Sequence, residues 1–93
     1  MEMAKTIKLH TETDKDTYQV GDDITVQIRD ESGNPIEGAE VQTSDGVVAT
    51  TDVSGETIVT THQPGFKRLT VDKADRENVT YNLESVTVRV TSK

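Results

Sequence analysis

Carboxylates crowd the turn segments of this 93-residue chain, and they are the residues best suited to chemistry. If the chain folds as a two-sheet β-sandwich, the loops after its second, fourth and sixth strands share one pole. Those loops carry Asp30 and Glu31, then Asp52, then Asp72, Asp75 and Glu77. Several carboxylates at one pole supply the hard oxygen ligands of Ca²⁺, which takes about six to eight at ~2.3–2.6 Å. Asp30, Asp52, Asp72 and Asp75 are the candidate ligands. The competing reading is a solvated rim, in which each Asp accepts backbone N–H groups of its own turn. No contiguous Asp-x-Asp-x-Asp-Gly loop strengthens the ion. The opposite pole is acidic as well, with Asp14, Asp16, Asp22, Asp23 and Asp45.

Other chemistry finds little support. His10 and His62 are the only histidines, and neither has a second ligand at zinc-site spacing. Ser32, Ser44, Ser54, Ser85 and Ser92 lack a nucleophile-elbow context. Gly33, Gly38, Gly46 and Gly55 read as turn glycines, not as a phosphate cradle. Tyr18, Phe66 and Tyr81 are the only aromatics, and all three are expected to pack in a core poor in large side chains. The Tyr81 hydroxyl is expected on a buried backbone partner. Asn78-Val79-Thr80 is an N-glycosylation sequon, which makes Asn78 a modification candidate in a secreted protein.

The composition bounds the class. A net charge of −7 leaves no basic face for phosphate, so nucleic acid and anionic membrane surfaces are expected to be poor partners. Cysteine is absent, so neither disulfides nor thiol chemistry enter. No apolar run reaches transmembrane length. Apolar residues make up only 31% of the chain. β-Formers compensate, with fifteen Thr and twelve Val, both stiff at χ1 and suited to a pleated surface.

The elements that must position these residues follow from period-two patterning. Residues 5–12 read as a first strand with Ile7 and Leu9 on one face. Residues 23–29 alternate most cleanly, Ile24, Val26 and Ile28 facing in. Gly33-Asn34-Pro35 builds the next loop, where Pro35 presets a turn and blocks sheet pairing. Residues 39–43 and 47–51 flank a hairpin signal at Asp45-Gly46. Residues 56–61 and 66–73 follow, with Leu69 and Val71 as the core pair of the latter. In the last stretch Val79, Tyr81 and Leu83 are odd-numbered, whereas Val86, Val88 and Val90 are even. One face cannot hold both sets, so a bulge near Glu84-Ser85 or two short strands joined there is required. The expected fold is all-β: a seven-stranded antiparallel Ig-like β-sandwich with Greek-key connections. It is one domain over residues 5–93, after an unstructured start at residues 1–4.

The motif order resembles the Ig-like modules of bacterial and archaeal surface proteins, of the invasin type or the carboxypeptidase-regulatory (transthyretin-like) type. The resemblance rests on Tyr18, Gly21, Asp22, Ile24, Thr25 and Val26, followed by Asp30, Gly33, Asn34, Pro35, Ile36, Gly38, Ala39 and Val41. It continues through Thr51, Asp52, Gly55 and Val59 to Pro64, Gly65, Leu69, Thr70, Val71 and Lys73. Similar collagen-adhesin pilin domains carry a Lys–Asn crosslink, for which Lys5 or Lys8 and Asn82 are loosely placed, without the family's acidic motif.

The resemblance implies a non-catalytic spacer or adhesion module of an extracellular, cell-surface, multidomain protein, with no cofactor apart from the candidate Ca²⁺. An odd number of up-and-down strands would carry the chain from one pole to the other, as tandem modules need. The expected partners are neighbouring domains and a host, cell-surface or polysaccharide ligand. The isolated domain is expected to be monomeric, and any leader to lie outside this chain. Two alternatives are a ligand-binding module using one loop pole for carbohydrate, protein or Ca²⁺, and an accessory domain of a secreted hydrolase.

Overall fold

A computed structural model describes residues 5–75 and 78–92. Glu77 and the expected start at residues 1–4 lie outside the described residues. Among the described residues every regular element is a strand. They are β1 (Lys5–Lys8), β2 (His10–Thr13), β3 (Thr17–Gln19), β4 (Asp23–Arg29), β5 (Glu40–Thr43), β6 (Val48–Thr50), β7 (Glu56–Thr60), β8 (Gly65–Asp72), β9 (Val79–Asn82) and β10 (Glu84–Thr91). Three sheets result, ordered β2-β4-β7, β3-β10-β8-β5-β6 and β1-β9.

Alternation explains the core. In β4, Ile24, Val26 and Ile28 are buried while Asp23 and Arg29 are exposed. Val41, Leu69, Val71, Val88 and Val90 of the five-stranded sheet join them in one cluster with Leu9, Tyr18 and Val59. The inner faces of the two larger sheets thus share a single core. Each such aliphatic side chain contributes about 1.5–3 kcal/mol by leaving water.

The first strand differs from expectation. It splits at Leu9, which is fully buried. Residues before it pair parallel with β9, Lys5 opposite Val79 through Lys8 opposite Asn82. Residues after it pair antiparallel with β4. The chain then crosses to the other sheet, where β3 runs parallel to β10. Among the described residues, ten strands with two parallel pairings therefore replace seven purely antiparallel ones. At the other end, the parity change resolves as two strands. β9 and β10 break at Leu83, which is 65% exposed, and each half keeps its own partners and its own inward set.

The turn signals place the hairpin correctly. Asp45-Gly46 joins β5 to β6, with the Thr43 N–H on the Val47 carbonyl at 2.8 Å. Pro35 pairs after all, in an isolated antiparallel bridge with Arg29. The bridge needs no N–H from proline, because its bonds are Asp30 N–H to the Asn34 carbonyl and Ile36 N–H to the Ile28 carbonyl.

One side chain of β8 reverses its expected side and its neighbour turns inward. Phe66 is 74% exposed, because Leu69 and Val71 face inward and odd parity sends position 66 out. The same parity draws Lys67 inward, where it is 8% exposed. Its methylene stem lies in the core and its ammonium has no ion-pair partner among the described residues. Lys67→Met keeps the stem's volume and removes the charge. It is expected to add about 1 kcal/mol, raising the thermal midpoint by about 4–8 °C. A midpoint lower than wild type in thermal denaturation would contradict this placement.

Candidate functional site

The pole formed by residues 30–38, 51–56, 72–75 and 78–82 is where the carboxylate candidates were expected to converge. The loops do meet there. The Ile28 N–H donates to the Gly55 carbonyl at 2.8 Å, the Gly38 N–H to the Thr51 carbonyl at 3.0 Å, and Lys73 Nζ to the Glu37 carbonyl at 2.7 Å. The carboxylates do not. Each is turned onto its own segment.

Asp30 accepts the N–H groups of Ser32 at 2.9 Å and Asn34 at 3.0 Å, and Asn34 Nδ2 at 3.3 Å. Asp52 accepts Ser54 N–H at 2.9 Å, Ser54 Oγ at 2.7 Å and Glu56 N–H at 3.1 Å. Both carboxyls are held below the usual carboxylate range by these donors, Asp30 chiefly by the Asn34 N–H and Asp52 chiefly by the Ser54 hydroxyl. Asp72 accepts the Lys73 N–H at 2.8 Å, and Asp75 the Tyr81 N–H at 3.2 Å. Among the described residues no group of three or more His, Asp or Glu side chains could hold a metal ion. Asp30 and Asp52 are thus placed as turn acceptors, the arrangement that Asp adopts for its own backbone, whereas Asp72 accepts at the end of β8 and Asp75 from β9.

Beneath the rim lies a buried bond that ties the pole together. Thr51 Oγ1 donates to the Ile36 carbonyl at 2.6 Å and accepts the Ala39 N–H at 2.9 Å. Thr51 is 4% exposed, so no water replaces it. Thr51→Val fills the same volume and leaves both backbone groups unpaired. A loss of about 2 kcal/mol in denaturant unfolding is expected. A loss below about 0.5 kcal/mol would mean that these backbone groups find other partners.

The remaining candidates are dispersed. His10 and His62 are both exposed, on β2 and in the turn before β8. Ser54 gives its hydroxyl to Asp52, and Ser44 Oγ accepts the Arg68 N–H at 3.3 Å. Lys8 and Asn82 are register partners, yet both are exposed, unlike the enclosed pair that a side-chain crosslink requires. Asn78 stands exposed at the turn into β9 with φ +61°, a left-handed conformation that Asn tolerates. Four of the best-formed surface clefts among the described residues hold at most about 230 Å³ each, below the range of small-molecule pockets.

Sequence reasoning missed the best-built polar cluster, at the opposite pole. The Tyr18 hydroxyl lies 2.6 Å from Asp14 Oδ1 and 2.9 Å from the Lys15 carbonyl, and accepts the Lys15 N–H at 2.9 Å. Asp14 Oδ1 also accepts the Thr25 N–H at 3.1 Å. The backbone anchor expected of Tyr81 is thus made by Tyr18. Tyr81 is half-buried against the core, with Lys73 Nζ 5.6 Å from its ring centroid. Asp14 and Tyr18 stand four apart in sequence, the one signal that could have paired them. Compared with known proteins, the sequence matches no family model and no curated protein.

Proposed function

We propose that this chain is a non-catalytic structural module of Ig-like, Greek-key type, serving as a spacer or adhesion unit in an extracellular, cell-surface, multidomain protein. The observation that carries the reading is the direction of the outermost pairings. β1 runs parallel to β9, and β3 runs parallel to β10. Lys5 therefore lies at the pole of Val79, and Thr91 at the opposite pole beside Gln19. The body between them is long and thin, 56 × 20 × 16 Å. A rod whose first and last strands end at opposite poles adds its length to a string of similar units.

The strand order supports the fold-level part. β2-β4-β7 against β3-β10-β8-β5-β6 is compatible with an Ig-like sandwich whose first strand divides between the sheets. The four candidate carboxylates accept backbone N–H groups and the clefts are shallow, which favours structure over chemistry. The test is the parent protein. The full-length gene is expected to encode a leader and neighbouring modules, and antibody against this domain is expected to label intact cells. A lone cytosolic domain, or labelling only after lysis, would overturn the reading.

A further inference from the structure

We propose that the outer faces of the two larger sheets bind one another between copies of this chain. The Phe66–Arg68–Arg89 patch of one copy would seat on the Glu12–Glu56–Ile58 patch of the next. The inference uses strand register and exposed side chains only, so it stands or falls apart from the cell-surface role.

On the five-stranded sheet, Arg89 is the cross-strand neighbour of Phe66 on β8 and of Thr17 on β3, and Arg68 is the neighbour of Thr87. Phe66, Arg68 and Arg89 all point outward and are exposed. Neither guanidinium is paired with a carboxylate among the described residues. On this face the carboxylates in β5 and β8 stand at the far end, where Glu40 opposes Asp72. The outer face of the three-stranded sheet has the opposite character. Glu12, Gln27 and Glu56 form one row across β2, β4 and β7, and Thr25 and Ile58 form the next, with Asp14 bonded to Thr25. A shallow cleft lined by Glu12, Asp14 and Glu56, with Arg29 as its one cation, runs over it, and Ile58 is 54% exposed on the same face.

In a chain of net charge −7, the exposed Arg68 and Arg89 thus share one face, while on the other the cleft holds three acids against the single Arg29; Phe66 is exposed beside the first group and Ile58 beside the second. Guanidinium and carboxylate match in geometry as well as sign. Because the two faces lie on opposite sides of one molecule, the contact is heterologous and repeats instead of closing. The three-stranded face measures roughly 15 by 20 Å from strand spacing and rise. That is the small end of protein interfaces, so single contacts are weak. Copies held side by side would strengthen one another. Overall repulsion between acidic copies fades beyond ~8 Å at physiological salt, leaving the contact terms.

Two charge-reversal variants test the pairing, both at exposed positions: Arg68→Glu with Arg89→Glu, and Glu12→Arg with Glu56→Arg. Circular dichroism first checks that each is folded. Sedimentation and NMR shifts are then followed up to ~1 mM, the range for a contact this small. Wild type is expected to associate with rising concentration, and each variant alone to lose at least tenfold in affinity. An equimolar mixture of the two variants is expected to recover association, because it recreates one native pair of faces. Wild type that stays monomeric throughout, variants that associate as before, or a mixture that fails to recover would each overturn the proposal. So would a sulfated polysaccharide binding the Arg68–Arg89 face without self-association.

Discussion

Gly55→Ala is expected to cost about 4 kcal/mol and to lower the thermal midpoint by about 20 °C, a large fraction of the stability of a domain this size. Two effects combine. Gly55 has φ +79°, where an L side chain costs roughly 1–2 kcal/mol. A Cβ there would also lie 2.5 Å from the Ile28 carbonyl oxygen, 3.0 Å from Gln27 Nε2 and 3.1 Å from the Ile36 nitrogen. The oxygen and the Ile36 nitrogen are backbone, so relief requires moving β4 or the loop after it. That motion strains the Ile28–Gly55 and Ile36–Ile28 hydrogen bonds, which join the Asp52 turn to the Asp30 loop. Gly33→Ala is the control. Gly33 has φ +88° but nothing within 4 Å of its Cβ position, so only the conformational part remains, about 1 kcal/mol. Equal midpoints for the two variants would show that the close approach at Gly55 is absent.

Tyr18→Phe is expected to lose about 2–3 kcal/mol at neutral pH and to change the alkaline limb of stability. The substitution removes a hydroxyl that serves Asp14 and both backbone groups of Lys15. Burial, reinforced by the Asp14 carboxylate as acceptor, pushes the Tyr18 phenol up to about 12. A raised folded pKa contributes stability that is complete below the unfolded value, near 10, and is lost as pH climbs to the folded value. Wild type should therefore lose stability between about pH 10 and 12 through this group, and the variant should lack that contribution. Parallel stability curves for the two proteins across that window would contradict the geometry.

The acid limb has the opposite sign. Asp14 is depressed chiefly by the Tyr18 hydroxyl, and Asp30 and Asp52 are depressed by their turn donors. Their contribution is present above about pH 4 and is lost as pH falls through the depressed folded values.

Local patterns were readable where the physics is local. β4 alternates strictly because one face meets the core and the other meets water. The Asp45-Gly46 turn and the parity break before β10 carry their own signatures. Parity would also have placed Lys67 inward and Phe66 outward, had it been applied to every position of β8 and not only to Leu69 and Val71. The parallel pairings were beyond reach. β3 is three residues long, and its partner β10 lies at the far end of the sequence. Nothing within Thr17-Tyr18-Gln19 names that partner. At the candidate site, composition located the acids in turns, and topology brought the loops to one pole. Whether those carboxylates face each other or their own backbone is decided by rotamers and N–H directions, which no spacing encodes.

The pairing of first strands with last ones also decides how the molecule meets a pull along its length. Drawing Lys5 and Thr91 apart slides β1 past β9 and β3 past β10, because each pair is parallel. Four register pairs in one ladder and three in the other are then loaded in shear together. An antiparallel hairpin at the ends would instead unzip one rung at a time. The fold therefore resists tension as a clamp, giving way abruptly once both ladders slip.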